Sequence, residues 1–190
     1  MNKRISLTAQ AHQFILSHLK AGDIAIDATV GNGHDTLFLA RQVSERGIIY
    51  GFDIQQQAIE SAQTKLSNAF VFKNTMLFNT SHENLSEFIP DQYHGKIKTI
   101  MFNLGYLPGS DKAVITQATS TLFALNQATE LLATEGVITI MAYPGHSGGK
   151  EETKQIKQWC EQLNIDRFVV KQINSSDKET APVLFCILKR

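Results

Sequence analysis

Residues 24–36 read Ile-Ala-Ile-Asp-Ala-Thr-Val-Gly-Asn-Gly-His-Asp-Thr: an apolar run breaks into a glycine turn and enters a helical pattern within one short stretch. The run from Ile24 to Val30 predicts a strand covered on both faces, because it is short and, apart from Asp27 and Thr29, apolar. Gly31 and Gly33 let the chain reverse tightly and approach a ligand with no Cβ in the way. A helix is expected from Asp35 to Glu45, and then the pattern recurs. Strands are expected at Ile48 to Asp53, Ala69 to Lys73, Ile97 to Phe102 and Val137 to Tyr143. Helices are expected at Gln56 to Ser67, Glu83 to Ile89, Ala113 to Ala133 and Lys150 to Leu163, the last with Ile156, Trp159, Cys160 and Leu163 on one face. Such alternation is the pattern of a parallel sheet with crossover helices.

Both ends of the chain depart from it. Ile5, Leu7, Ala11, Phe14, Ile15, His18 and Leu19 predict an N-terminal helical segment over residues 1–22, stopped by Ala21-Gly22-Asp23 and covering one face or the mouth of the core. Arg167 to Ile173 and Val183 to Leu188 are strand-like runs joined by a linker too short for a helix, so they must pair as an antiparallel hairpin. The expected fold is therefore α/β and Rossmann-like, a seven-stranded, mostly parallel sheet ending in an antiparallel hairpin with helices on both faces. This is the sheet of class I methyltransferases, whereas dinucleotide dehydrogenases usually continue the alternation.

A chain of 190 residues suits one domain spanning 1–190. Hydrophobic residues at 43% and charged residues at 19% place it in the ordinary globular class. Lys plus Arg and Asp plus Glu are each 18, and a net charge of zero argues against coating nucleic acid by bulk charge while leaving room for a local basic patch. Cys160 and Cys186 lie on apolar stretches and read as small buried hydrophobes. The N-terminus lacks a secretory pattern, and no run is long enough to span a bilayer, so a cytoplasmic location is expected.

Ligands of open parallel sheets bind beyond the carboxyl ends of the strands. At the first strand end Thr36 stands where a dinucleotide fingerprint has its third glycine. Asp27 and Asp35 put two carboxylates beside the turn, which would repel phosphate and attract ammonium and sulfonium charge. Asp35 could instead merely cap its helix. Asp53 ends the second strand about 20 residues beyond the turn, the position from which an acid reaches ribose hydroxyls, although it could also cap the next helix. Gln55 would lie beside the nucleoside, and Ser81-His82-Glu83 falls where a base would sit or serves as a helix cap.

The fourth strand leads into Asn103-Leu104-Gly105-Tyr106-Leu107-Pro108-Gly109. This resembles the Asn-Pro-Pro-Tyr loop of methyltransferases acting on exocyclic amines, in which the Asn oxygen and a loop carbonyl accept hydrogen bonds from the nitrogen under attack. Leu104 and Gly105 stand where that loop has its prolines. The alternative is a turn in which Asn103 binds its own backbone. Tyr143 to Gly149 forms a further mouth loop suited to substrate contact, and His12 on the first helix is a third candidate.

The segments DATVGNGHDTLFLA (27–40), GFDIQ (51–55), SHENL (81–85), FNLGYLPGSDK (102–112) and GHSGG (145–149), taken in order, span nearly the whole chain. Together they resemble the tRNA 5-(aminomethyl)-2-thiouridine methyltransferases of the MnmM type, once labelled rRNA methylases. The resemblance implies S-adenosyl-L-methionine as cofactor and methylation of the 5-aminomethyl amine of the wobble uridine in the anticodon arm of tRNA. It implies cofactor contacts from Asp27, Gly31, Asn32, Gly33, Asp35, Asp53, Gln55, His82 and Glu83. Asn103, Tyr106 and the loop carrying Tyr143, His146 and Ser147 would face the nucleoside.

Methyl transfer to nitrogen needs positioning more than activation of the leaving group, and it needs no metal. A primary alkylamine is largely protonated near neutrality, so the site must favour the neutral form or accept its proton. Asn103 and loop carbonyls are expected to orient the amine and Tyr106 to pack on the base, with Asp35, His12 or water taking the proton. An rRNA or small-molecule amine is the alternative substrate, and a nicotinamide-dependent dehydrogenase or a non-catalytic cofactor-binding module are the rival classes. A chain this small could share its RNA within a homodimer.

Overall fold

The computed structural model describes residues 5–71, 73–105 and 116–190. The chain enters its sheet at the centre, where β1 (Ile24–Asp27) pairs in parallel with β2 (Ile48–Asp53) on one side and β4 (Ile97–Asn103) on the other. β3 (Thr75–Asn79) extends one edge beyond β2, while β5 (Leu132–Ala142) follows β4 in parallel. The last strands, β6 (Phe168–Asn174) and β7 (Val183–Lys189), form the expected antiparallel hairpin, with β7 inserted between β5 and β6. The resulting order is β3-β2-β1-β4-β5-β7-β6.

Strand residues alternate between two apolar layers, as a pleated sheet covered on both faces demands. Ala25, Ile49, Met101 and Val137 face α2 (His34–Val43) and α3 (Gln56–Asn68), and Ile15 of α1 (Leu7–Leu16) joins this layer. Ile26, Tyr50, Phe52, Ile100, Phe102, Ile138 and Ile140 face α4 (Leu85–Phe88), α5 (Ala118–Leu131) and α6 (Gly149–Gln162). Leu7 and Ala11 of α1 pack on Met141, Leu184 and Cys186, so this helix lies across the β5 and β7 end of the sheet. Both cysteines are buried, and burial pushes their thiols up, to about 12 for Cys160 and about 11 for Cys186.

Several boundaries differ from expectation. β3 is Thr75–Asn79 rather than 69–73, because the apolar residues after Leu66 close a helix instead of starting a strand. Phe70 adopts a left-handed φ of 58°, its N–H bonds the Ser67 carbonyl, and the Val71 N–H bonds the Leu66 carbonyl. That pair of bonds is a Schellman ending, which satisfies carbonyls the helix would otherwise leave open. Asn74 then pins the start of β3, its side-chain amide donating to the carbonyls of Ser44 and Gly47. β1 stops at Asp27 instead of Val30, since the Ala28 N–H bonds Met101 on one neighbour and the Val30 N–H bonds Phe52 on the other. β5 begins at Leu132 directly after α5, and left-handed Glu135 accompanies a register shift opposite Ile97 and Thr99. Among the described residues no helix is long and apolar enough to cross a membrane.

Candidate active site

From β1 the chain winds outward through β2 to β3, then returns to place β4 on the other side of β1. Between β1 and β4 the loops above the strand tips diverge, which is where open α/β sheets bind ligands. A cavity of about 1000 Å³ opens there, lined by the β1–α2 turn, the tips of β2 and β4, Ser81 to Glu83, the start of α5, and the loop after β5. None of the described residues lining it is Lys or Arg.

At one end of the cavity the first two turns are tied together. The Asp53 carboxylate accepts from the Gly31 N–H at 2.8 Å through one oxygen and from the Gln55 N–H at 2.9 Å through the other. Burial raises the Asp53 pKa, and those two N–H groups oppose the rise. A carboxylate offers about four lone-pair directions, so each oxygen keeps one for a ligand hydroxyl. The alternative, a cap on the next helix, is not met: α3 has Gln55 as its N-cap with no side-chain cap bond, and Asp53 binds the Gln55 N–H ahead of the helix. In the same cavity His82 is buried, its ring 5.9 Å from that of Phe102 in β4, and its imidazole is pushed down to about 4, chiefly by burial, so the ring is neutral. Its Nε2 has no hydrogen-bond partner among the described residues, a costly state for a buried polar atom and one that a nucleobase edge would relieve. Gln127 of α5 holds this segment, accepting from the Ser86 N–H at 2.7 Å and donating to the Glu83 carbonyl. These groups fit S-adenosylmethionine: an acid for ribose hydroxyls, an unpartnered imidazole for a base, and, among the described lining residues, no Lys or Arg to repel a sulfonium.

At the other end Asn103 is held twice. Its backbone N–H donates to Thr29 Oγ at 2.7 Å, and its side-chain Nδ2 donates to Asp35 Oδ2 at 3.2 Å. A carboxylate only accepts, so the Asn103 amide must turn its nitrogen to Asp35 and keep its oxygen for another donor. Asp35 Oδ1 accepts from His12 Nε2 at 2.8 Å, and the His12 ring stacks on Phe38 with centroids 3.8 Å apart. Asp35 is thus a hub between α1, α2 and β4 and caps no helix end. Tyr143 lies close by, its phenol pKa raised by burial and then by the Asp35 charge.

The cavity brings together Gly31, Asn32, Asp35, Asp53, Gln55, His82, Glu83, Asn103, Tyr143 and His146. Asp27, Gly33, His12 and Ser147 are not on its wall. Asp27 is fully buried, accepting from the Thr36 hydroxyl at 2.6 Å and the Thr29 N–H at 3.1 Å. Burial and then the charge of Asp35 push its carboxyl up to about 7. It braces the turn from behind instead of meeting a ligand. Gly33 has φ 71°, and a Cβ there would lie 2.8 Å from Ala62, so this glycine serves the contact between α2 and α3. His12 reaches the site only through Asp35, and Ser147 is exposed, its carbonyl 2.8 Å from His146 Nδ1. Tyr106 lies outside the described residues. Thr29, Thr116 and Thr180 line the cavity without having been singled out, because an isolated threonine carries no motif. No group of three or more His, Cys, Asp or Glu among the described residues could hold a metal ion.

The family described as "Putative rRNA methylase" matches residues 49–189. A chloroplastic tRNA (mnm(5)s(2)U34)-methyltransferase of Arabidopsis thaliana is 35% identical over 98% of this chain and 70% of its own length. A crystal structure from Clostridium thermocellum named a "putative rRNA-methylase" superposes with TM-score 0.92 at 36% identity, covering 100% of both chains. A Streptococcus mutans "putative methyltransferase" solved in complex with SAH superposes with TM-score 0.86 at 32% identity, again over 100% of both chains. The chain belongs to this rRNA_methylase family and is an S-adenosylmethionine-dependent methyltransferase.

Proposed function

We propose that this enzyme methylates the exocyclic nitrogen of 5-aminomethyl-2-thiouridine at the wobble position of tRNA, giving the 5-methylaminomethyl nucleoside. The substrate rests on the likeness to the Arabidopsis tRNA methyltransferase along 98% of the chain. The observation within the site that supports an amine acceptor is the Asn103 amide, with its nitrogen on Asp35 and its oxygen left to accept an N–H.

When bound, S-adenosylmethionine supplies an electrophilic methyl on a sulfonium. Asp53 and Gln55 hold its ribose side, His82 and Glu83 its base, and Gly31 and Asn32 give it backbone access. Asn103 accepts a hydrogen bond from the acceptor amine and aims the nitrogen lone pair, which is where most of the rate gain arises. Asp35, beside Asn103 and hydrogen-bonded to His12, draws the ammonium form in, and the proton leaves to Asp35, to His12 or to water before the nitrogen attacks. Tyr143 and His146 contact the nucleoside, and Tyr106 packs on the base. A cytoplasmic location and a homodimer that shares the anticodon arm accord with this role.

The test is mass spectrometry of nucleosides after incubating the purified protein with S-adenosylmethionine and tRNA bearing the unmethylated aminomethyl uridine. The expected result is loss of that nucleoside and gain of its methylaminomethyl form. An unchanged tRNA profile, with methyl transfer into rRNA instead, would overturn the proposal.

A further inference from the structure

Glu152 is 2% exposed, carries a carboxylate, and does not touch the cavity. It sits in the first turn of α6, just past the loop that bears Tyr143 and His146. Both its oxygens accept from threonine hydroxyls: Oε2 from Thr116 at 2.9 Å and Oε1 from fully buried Thr121 at 2.8 Å. Thr116 in turn accepts the Gly105 N–H on its hydroxyl oxygen at 2.9 Å and donates its own N–H to the Gly105 carbonyl at 3.0 Å. The donors and acceptors run in one direction, from the Gly105 amide through the Thr116 hydroxyl to the Glu152 carboxylate. Each group is used in the only role left to it, since the hydroxyl has a single proton to give.

The chain of bonds starts two residues from Asn103. Gly105 has φ 122°, and a Cβ on it would lie 3.5 Å from His146 and 3.8 Å from Tyr143. Asn103 is fixed from the β1 side by Thr29 and Asp35. On the far side the β4 tip is tied by the Leu104 N–H to Met141 of β5 and by Gly105 to Thr116.

We infer that Glu152 is a positioning residue for methyl transfer: through Thr116 it fixes the Gly105 backbone, and hence the Asn103 oxygen, relative to the cofactor pocket and the Tyr143–His146 wall. The inference rests on the proposed amine-orienting role of Asn103. Apolar filling would have packed this position at lower desolvation cost. A carboxylate instead fixes two hydroxyl directions at once. Misplacement of a reacting atom by about 1 Å from a distant change costs on the order of 100-fold in rate.

Thr116→Val keeps the shape and removes the hydroxyl, Thr116→Ser restores it, and Glu152→Gln removes one acceptor oxygen. The measurements are steady-state and single-turnover methylation of the aminomethyl-bearing tRNA, SAH affinity, and hydrogen exchange at the Gly105 amide. Thr116→Val and Glu152→Gln are expected to lower kcat roughly 10- to 100-fold with SAH affinity unchanged and Gly105 exchange accelerated, while Thr116→Ser regains wild-type turnover. Equal turnover in the valine and serine variants, or a loss of SAH affinity matching the loss of kcat, overturns the inference. If the wild-type chain fails to methylate that tRNA, the substrate reading fails instead. The Gly105 exchange rate, which needs no RNA, then decides whether Thr116 and Glu152 hold the strand tip.

Discussion

At the scale of single residues, Asp27 and His82 leave opposite marks on the pH dependence of stability. The Asp27 carboxyl is raised from 3.8 to about 7 by burial, so between those values the folded chain binds a proton that the unfolded chain does not. Its cost is full above pH 7 and disappears as the pH falls toward 3.8. His82 is lowered from 6.5 to about 4 by burial, so in that window the unfolded chain binds the extra proton and stability drops as acid is added. Asp27→Asn removes the first effect and leaves the second. Asparagine can still accept from the Thr29 N–H and can donate to the Thr36 hydroxyl. Urea unfolding should find the variant close to wild type at pH 4.5 and more stable at pH 8, by at most about 4 kcal/mol at 1.36 kcal/mol per pKa unit. It should also lose stability more steeply than wild type between pH 6.5 and 4. A variant less stable than wild type at pH 8 would mean that the charged form of Asp27 is what the turn requires. An acid inside an apolar strand was legible in the sequence, but its role was not, since a strand pattern does not tell whether the side chain faces a ligand or the back of a turn.

Elements were legible where both faces of a strand are covered and also at the β6 edge, where the hairpin fixes the strand, but not at the β3 edge. β1, β2 and β4 sit between two helical layers and show continuous apolar runs. β3 is an edge strand, half-exposed at Met76, and its pattern is weaker than that of Ala69-Phe70-Val71 just before it. What distinguishes the two stretches is a backbone conformation that no hydrophobic pattern encodes. Phe70 is 91% exposed with φ 58°, so it gains little from burial and bears the left-handed penalty of about 1–2 kcal/mol for an L-residue. Glycine escapes that penalty but gives back part of the gain through its freer unfolded chain. Phe70→Gly should therefore stabilise the protein by about 0.5–1 kcal/mol with the far-UV dichroism unchanged. A destabilised variant would show that the ring makes a contact worth more than the strain.

For the whole molecule, the crossing of the chain from β3 back to β4 creates the site, and this was readable because strand-turn-helix repeats and a terminal hairpin together specify the sheet. The division of labour across the cavity was only partly readable: Asp53 and Asn103 end strands, whereas Thr29, Thr116 and Glu152 act through contacts between segments distant in sequence. That division predicts how ligand binding couples to stability. SAH that binds only the folded chain adds about 2.7 kcal/mol at a concentration of 100 Kd. For a domain of this size that corresponds to a rise in Tm of roughly 5–11 °C. Asp53→Ala removes the proposed ribose acceptor and also frees the Gly31 N–H that shapes the turn. Hydrogen bonds to a charged group contribute about 1.5–3 kcal/mol, so at the same SAH concentration most of the shift should vanish. Asn103→Ala lies across the cavity and should keep the full shift while lowering methyl transfer by about 100-fold. Thermal unfolding of wild type and both variants, with and without SAH at one fixed concentration, separates the two ends. If Asp53→Ala retains the wild-type shift, or if Asn103→Ala loses it equally, the cofactor and the acceptor do not occupy the ends assigned to them.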